Sequence, residues 1–165
     1  MWQARGPKTN AMRVLDAQRI PYAAHFYAPA IHGADEVAAV LGVDPAQVFK
    51  TLVVVPESGQ GRPLLVLVPG HRALDLKLLG QQPAVAEKRL RMATQREAER
   101  LTGLLVGGIS PLALLQKGFR VFIDESALGW DQIYLSGGQR GVNLQLARAD
   151  LLRVTGAVPV ATAHA

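Results

Sequence analysis

Two apolar hairpin patterns, with short helical patterns set between and around them, predict a single mixed α/β domain. The first hairpin is QVFKTLVVV, in which Leu52–Val55 is a run of strand formers ahead of the turn-forming cluster PESGQG, followed by RPLLVLV from Arg62 to Val68. Both strands are apolar at consecutive positions rather than alternate ones, so they belong centrally in a sheet covered on both faces. The second is QIYLSGGQRGVNLQLA, where Val142, Leu144 and Leu146 alternate with Asn143 and Gln145 after a glycine-rich turn. A chain of 165 residues with 49% hydrophobic residues can bury one substantial core, and no repeat, coiled coil or linker divides it.

The remaining elements follow from caps and periodicity. Thr9 or Asn10 can cap a first helix with Met12, Val14 and Leu15 inside it, closed near Arg19 and Pro21, before an extended IPYAAHFYA. In GADEVAAVLG, Asp35 and Glu36 occupy the first turn of a second helix, Val37, Val40 and Leu41 share a face, and Gly42 supplies the stop. Asp44 and Pro45 start one further turn leading into the strand that carries Lys50. Asp75 can cap a short helix with Leu76, Leu78 and Leu79. QQPAVAEKRLRMAT reads as a helix broken at Pro83 and then an edge strand over 89–93. Thr94 with Glu97 fits a capping box for TQREAERLTG. Leu104–Val106 reads as a strand entering Gly107 and Gly108, Phe119–Ile123 as another, and Asp150 as the cap of a closing helix before a fraying VATAHA end.

Composition removes several chemistries. With no cysteine there is no disulfide, thiolate nucleophile or cysteine-held metal centre. The four histidines, His25, His32, His71 and His164, lack a zinc-enzyme spacing, and neither GxxxxGK[ST], GxGxxG nor GxSxG occurs. The expectation is therefore no cofactor and no metal. Asp124 and Glu125 are adjacent, so in a strand they point apart and make a poor glycosidase pair. Eighteen basic residues against thirteen acidic give a formal charge of +5, which favours an anionic partner such as nucleic acid. The MWQARGPKTN start carries no long apolar segment, so the expectation is a cytoplasmic protein without membrane contact.

Two features invite a functional reading and also have a plain one. Lys50 precedes a buried strand, where it either sets a cation beside a cleft or only lays its stem on apolar surface with its ammonium in water. Gly107 and Gly108 either let backbone amides face a ligand or make an ordinary turn.

Taken in order, GADEVAAVLG, QVFKTLVVV, LDLK at 74–77, TGLLVGGISPL and IYLSGGQRGVNLQLA resemble the YbaK family of aminoacyl-tRNA deacylases, relatives of the editing insertion domain of bacterial prolyl-tRNA synthetase. The resemblance covers about residues 10–160 and places one such domain over 8–160. It implies a strongly bent, barrel-like, mainly antiparallel sheet with flanking helices, and hydrolysis in trans of the ester joining a wrong amino acid to the terminal adenosine of tRNA. Lys50 matches the family's most important functional side chain. Gly107, Gly108, Ile109, Ser110 and Pro111 match its GGISP loop, with Gly107, Gly108 and Ser110 as candidate oxyanion donors. Ser136, Gly137, Gly138, Arg140 and Gly141 match its second glycine-rich turn. Leu104 and Asn143 stand where the cysteinyl-tRNA deacylase branch commonly has tyrosine and aspartate, and His32 where it often has an aromatic residue. The implied substrate is a small amino acid such as Cys, Ala or Ser, on a tRNA that includes tRNA-Pro among the candidates.

The resemblance further implies misacylated tRNA as partner and a transient complex with prolyl-tRNA synthetase as a candidate one. An ester is already activated, so positioning and oxyanion stabilisation can carry most of the rate. The nucleophile is then a water or the substrate's own group, such as a cysteinyl thiol. Arg140 is either a contact to tRNA phosphate or a solvated turn residue. A tRNA-binding adaptor without hydrolysis, and a small-molecule esterase, are the alternatives.

Overall fold

The computed structural model describes residues 6–164; residues 1–5, where the reading of the MWQARGPKTN start partly falls, and Ala165 lie outside the described residues. Thr9 caps helix α1 (Asn10–Ala17), its hydroxyl accepting from the Met12 amide at 3.2 Å, and the helix buries Ala11, Met12 and Leu15. Strand β1 (Tyr22–Phe26) follows Pro21, and helix α2 (Ala34–Leu41) ends on Gly42 in the left-handed region at φ +69°. Asp44 caps a single 3-10 turn over Pro45–Gln47 and delivers the chain into β2 (Val48–Pro56). That strand and β3 (Leu64–Pro69) form the expected antiparallel hairpin, with Lys50 opposite Val68.

Asp75 caps α3 (Leu76–Gln81), after which β4 (Leu90–Met92) leads to α4 (Gln95–Thr102). The Thr94–Glu97 capping box is complete, and Arg91 reaches both Glu97 oxygens at 2.7 and 2.8 Å. The Arg91 hydrogen bonds, helped by the Thr94 amide, lower the Glu97 carboxyl to a pKa of about 2. Then come β5 (Arg120–Asp124), β6 (Gln132–Ser136), β7 (Val142–Ala147), α5 (Arg148–Thr155) and β8 (Val158–Val160).

The strands make one sheet in the order β1-β7-β6-β2-β3-β5-β8. The pairings β1–β7, β6–β7, β2–β3 and β2–β4 are antiparallel, while β2–β6, β3–β5 and β5–β8 are parallel. β3 is buried at every position, because its two faces meet different cores. Leu67 packs with Phe49, Ile123 and residues of α1 and α5 on one face; Leu64, Val66 and Val68 pack with Leu79 and Phe122 on the other. This is why the strand reads as continuous apolar sequence.

One feature of β2 positions the site. On the edge away from β3, Val48 and Phe49 pair with β6 and Val54–Pro56 pair with β4, so the strand has two partners on that edge with a gap between them. The Val48 carbonyl accepts from Gly70 on the β3 side at 2.7 Å. By two-residue alternation, Phe49, Thr51 and Val53 turn their main-chain groups to the opposite edge, and the Val53 carbonyl indeed accepts from Ala93 there at 3.0 Å. Thr51, in the middle, faces the gap.

The structure departs from the sequence expectations at several places. On α2 it is Val37 and Ala38 that are buried, whereas Val40 is 51% exposed, because the helix touches the sheet along one narrow stripe. Residues 82–88 make turns rather than a broken helix, since Gln82 leaves helical geometry just ahead of Pro83. Leu104–Val106 is a loop and not a strand, its backbone held by side chains instead of a ladder. β7 runs directly into α5, which leaves Ala147 at the N-cap and puts Asp150 in the first turn, paired with Arg153 at 2.8 Å. The C-terminal end is anchored: β8 lies along β5, and buried Thr162 donates its hydroxyl to Asp124 at 2.7 Å.

Candidate active site

The gap on β2 opens into a cleft of about 210 Å³. Its walls come from Tyr27, from His32 and the start of α2, from Val48–Leu52, from Val106, Gly107 and Ile109, and from Ser136 and Asn143. Segments widely separated in sequence therefore converge, because β6 and β7 bring the paired Ser136 and Asn143 to the strand ends beside the β2 gap, where the loop after α4 also contributes Val106, Gly107 and Ile109. The size lies below the range of about 300–1,000 Å³ typical of pockets for drug-sized ligands. It suits an aminoacyl group better than a whole aminoacyl-nucleoside.

Lys50 is half-buried at this cleft and has no hydrogen-bond or ion-pair partner among the described residues. Burial pulls its ammonium below the ordinary lysine value, and the negative charge of Asp35 partly offsets this. Thr51 and Asn143 each carry a buried side-chain oxygen without a hydrogen-bond partner, Oγ1 and Oδ1 respectively. Such atoms cost free energy in an empty protein and are relieved by a ligand that supplies the missing partner. Burial also raises the Tyr27 phenol above its ordinary value, offset by the nearby Asn143 amide.

The two glycine-rich segments dock on one another. Gly107 has φ +93°, and a Cβ there would lie 2.6 Å from the His32 side chain. A Cβ on Gly108 would lie 2.8 Å from the Arg140 amide nitrogen, so this glycine is what lets the GGISP loop touch the 137–141 turn. Arg140 donates through Nε to the Val106 carbonyl at 2.6 Å, while the Val106 amide donates to Glu99 Oε2 at 2.9 Å. The Gly108 amide is used by the Leu105 carbonyl at 2.8 Å, whereas the Gly107 amide has no acceptor among the described residues.

Of the residues singled out in the sequence, Lys50, His32, Gly107, Ile109, Ser136 and Asn143 border the cleft. Gly108, Gly137, Gly138, Arg140 and Gly141 do not line it; Arg140 holds the lining residue Val106, and Gly108 lies against the 139–140 backbone. Leu104 precedes the loop and packs with Leu65 and Phe119, and Ser110 and Pro111 are fully covered, the Ser110 hydroxyl without a partner. Sequence reasoning missed Tyr27, Thr51 and Leu52, as well as Glu99. Thr51 had one available signal, its place beside Lys50 in a strand whose neighbours were both assigned. Among the described residues no cluster of His, Asp or Glu is arranged to hold a metal ion, and no helix is long and apolar enough to cross a membrane.

Comparison with known proteins identifies the family. The model of the aminoacyl-tRNA editing domain matches residues 28–154. A protein of Enterococcus faecalis named "Putative Cys-tRNA(Pro)/Cys-tRNA(Cys) deacylase EbsC" is 34% identical over 150 residues, which is 90% of this chain and 88% of that protein. A proline--tRNA ligase of Maridesulfovibrio salexigens is 32% identical over 114 residues, 68% of this chain but only 18% of the ligase. Among solved structures, a hypothetical protein superposes with a TM-score of 0.83 at 26% identity, covering 94% of this chain and all (100%) of that one. A structure described as "a putative trans-editing enzyme for prolyl tRNA synthetase" gives 0.76 at 27% identity, over 97% of this chain and 100% of the other. The chain belongs to the aminoacyl-tRNA editing domain family and is a hydrolase of misacylated tRNA.

Proposed function

We propose that residues 8–160 form one trans-editing domain whose cleft at the β2 gap receives the aminoacyl end of tRNA, with a small amino acid such as Cys, Ala or Ser on tRNA-Pro as substrate. The observation that carries this reading is the unpaired Lys50 ammonium beside a cleft that also holds the unsatisfied oxygens of Thr51 and Asn143. Lys50 engages the terminal ribose or phosphate and holds the ester in the cleft mouth. The Thr51 amide on the gap edge of β2 and the amide of the cleft-lining Gly107, both without a main-chain acceptor among the described residues, are the donors for the ester carbonyl.

No hydroxyl lining the cleft has a described histidine or carboxylate in hydrogen-bond reach, and Ser136 Oγ instead accepts from the Gly138 amide at 3.2 Å. The nucleophile is therefore a water or a group of the substrate. With water, its oxygen adds to the ester carbon and the carbonyl oxygen takes negative charge opposite the two amides. Collapse of the intermediate breaks the bond to the ribose oxygen, which leaves with a proton, releasing the amino acid and a tRNA with a free terminal hydroxyl. Asn143 Oδ1 needs a donor, which the α-ammonium or a small polar side chain of the substrate supplies.

The likeness to part of a proline--tRNA ligase supports a transient complex with that synthetase, which would hand over mischarged tRNA. The test is release of labelled amino acid from purified Cys-, Ala-, Ser- and Pro-charged tRNA-Pro under single-turnover conditions. The expected result is fast release of at least one small non-cognate residue and sparing of proline. Saturable binding without release would make the protein an adaptor, and activity confined to simple esters would make it an esterase.

A further inference from the structure

Both main-chain groups of Val106, which belong to the two peptide units flanking it, are held by charged side chains from different parts of the chain. Glu99, in the last turns of α4, accepts its N–H at 2.9 Å; Arg140, in the turn between β6 and β7, donates to its C=O at 2.6 Å. Hydrogen bonds with one charged member are shorter and stronger than neutral ones. Val106 itself lines the cleft, and the next residue is Gly107, with its left-handed φ of +93° and its unused amide. The loop has no strand to fix it, so these two bonds, with the close approach of Gly108 to the 139–140 backbone, set where the Gly107 amide points.

We propose that Glu99 and Arg140 are positioning residues for deacylation: Glu99 fixes the peptide unit before Val106 and Arg140 the unit after it, which carries the Gly107 N–H, and together they aim that amide at the substrate ester. This rests on the reading of the cleft given above. It assigns a task to Glu99, which no motif marks, and moves Arg140 from the tRNA surface to the wall of the cleft. Arg140 and Glu99 share no hydrogen bond, so the coupling between them runs through Val106, whose N–H belongs to the 105–106 peptide unit and whose C=O belongs to the 106–107 unit that also carries the Gly107 amide. Removing either should free Val106 to turn about its own backbone dihedrals and swing the Gly107 amide, and removing both should then cost little more than removing one.

The experiment combines Glu99→Ala, Arg140→Ala and the double variant with the conservative Glu99→Gln and Arg140→Lys, each checked by a thermal melt. Misplacement by about 1 Å can cost on the order of 100-fold in rate. The Ala variants are therefore expected to lose roughly 10- to 100-fold in single-turnover rate at saturating enzyme, non-additively, with the tRNA dissociation constant and its salt dependence unchanged. Glu99→Gln keeps an acceptor oxygen and should recover most of the rate. Amide hydrogen exchange over 106–109 in the free protein should speed up in the Ala variants. That readout needs no substrate, so it tests the clamp even if the deacylase reading fails.

Unchanged exchange and unchanged rate in folded Ala variants would overturn the proposal. So would an Arg140→Ala variant with a normal rate and a shallower salt dependence of tRNA binding, which would make Arg140 a phosphate contact. If the Ala variants do not fold, a folded Glu99→Gln variant that loses about 100-fold in single-turnover rate would contradict it, because Gln keeps the acceptor oxygen.

Discussion

Lys50→Met is expected to lower the single-turnover rate of deacylation on the order of 100-fold while leaving the melting temperature unchanged or raised. Methionine keeps the apolar stem in the cleft wall and removes only the cation. The rate argument is geometric: an ammonium that holds the ribose or phosphate fixes the ester against the Thr51 and Gly107 amides, and losing it affects the chemical step even when every site is occupied. The stability argument follows from the sign of the pKa shift. Burial lowers the Lys50 pKa on folding, so at neutral pH the charged form is disfavoured in the folded protein relative to the unfolded chain, and removing the charge removes that cost. Single-turnover kinetics with tRNA binding and a melt separate the possibilities. A normal rate with weaker binding would reduce Lys50 to an electrostatic contact, and a normal rate with normal binding would remove it from the site.

Leu67→Ala is expected to destabilise the fold by about 2–5 kcal/mol, the range for truncating a fully buried leucine. Leu67 is fully buried at the centre of β3, between β2 and β5, and packs against Phe49, Ile123 and Leu135. Domains have total stabilities of about 5–15 kcal/mol, so this is a large fraction of the whole. For a chain of this size it corresponds to a drop of roughly 4–20 °C in melting temperature. Because Leu67 is the cross-strand partner of Thr51, the cavity also lies directly behind the site. Leu67→Met should cost under about 1.5 kcal/mol, and Leu128→Ala, at a position 52% exposed, within about 0.5 kcal/mol. A denaturant series across the three variants checks the order.

The parts of the fold that were legible in the sequence are those fixed by local rules. Leu64–Val68 announced a strand buried on both faces because each face of β3 meets a core of its own. Thr94 and Glu97 announced a helix start because a capping box is a four-residue device. Residues whose conformation depends on distant partners were less readable. Leu104–Val106 has strand composition, yet Glu99 and Arg140 take the main-chain groups of Val106, and the segment never joins the sheet. The VATAHA end looked like a fraying tail, yet Val160 closes β8 and Thr162 is buried, because their partner Asp124 at the end of β5 lies more than thirty residues earlier. At the site, Lys50 and the glycines stood out through motif order. Thr51 did not, because its importance comes from where β6 stops and β4 starts, a property of three strands and not of one residue.

The central claim is that the aminoacyl end of tRNA sits in the cleft at the β2 gap. A structure of the protein with an aminoacyl-adenosine whose ester is replaced by a non-hydrolysable amide tests it most directly. The account predicts the aminoacyl group between Thr51, Gly107 and Asn143, its carbonyl oxygen about 3 Å from the Thr51 or Gly107 amide, and the ribose beside Lys50. An analogue seated on another face, or one that leaves Thr51 Oγ1 and Asn143 Oδ1 without partners, would contradict it.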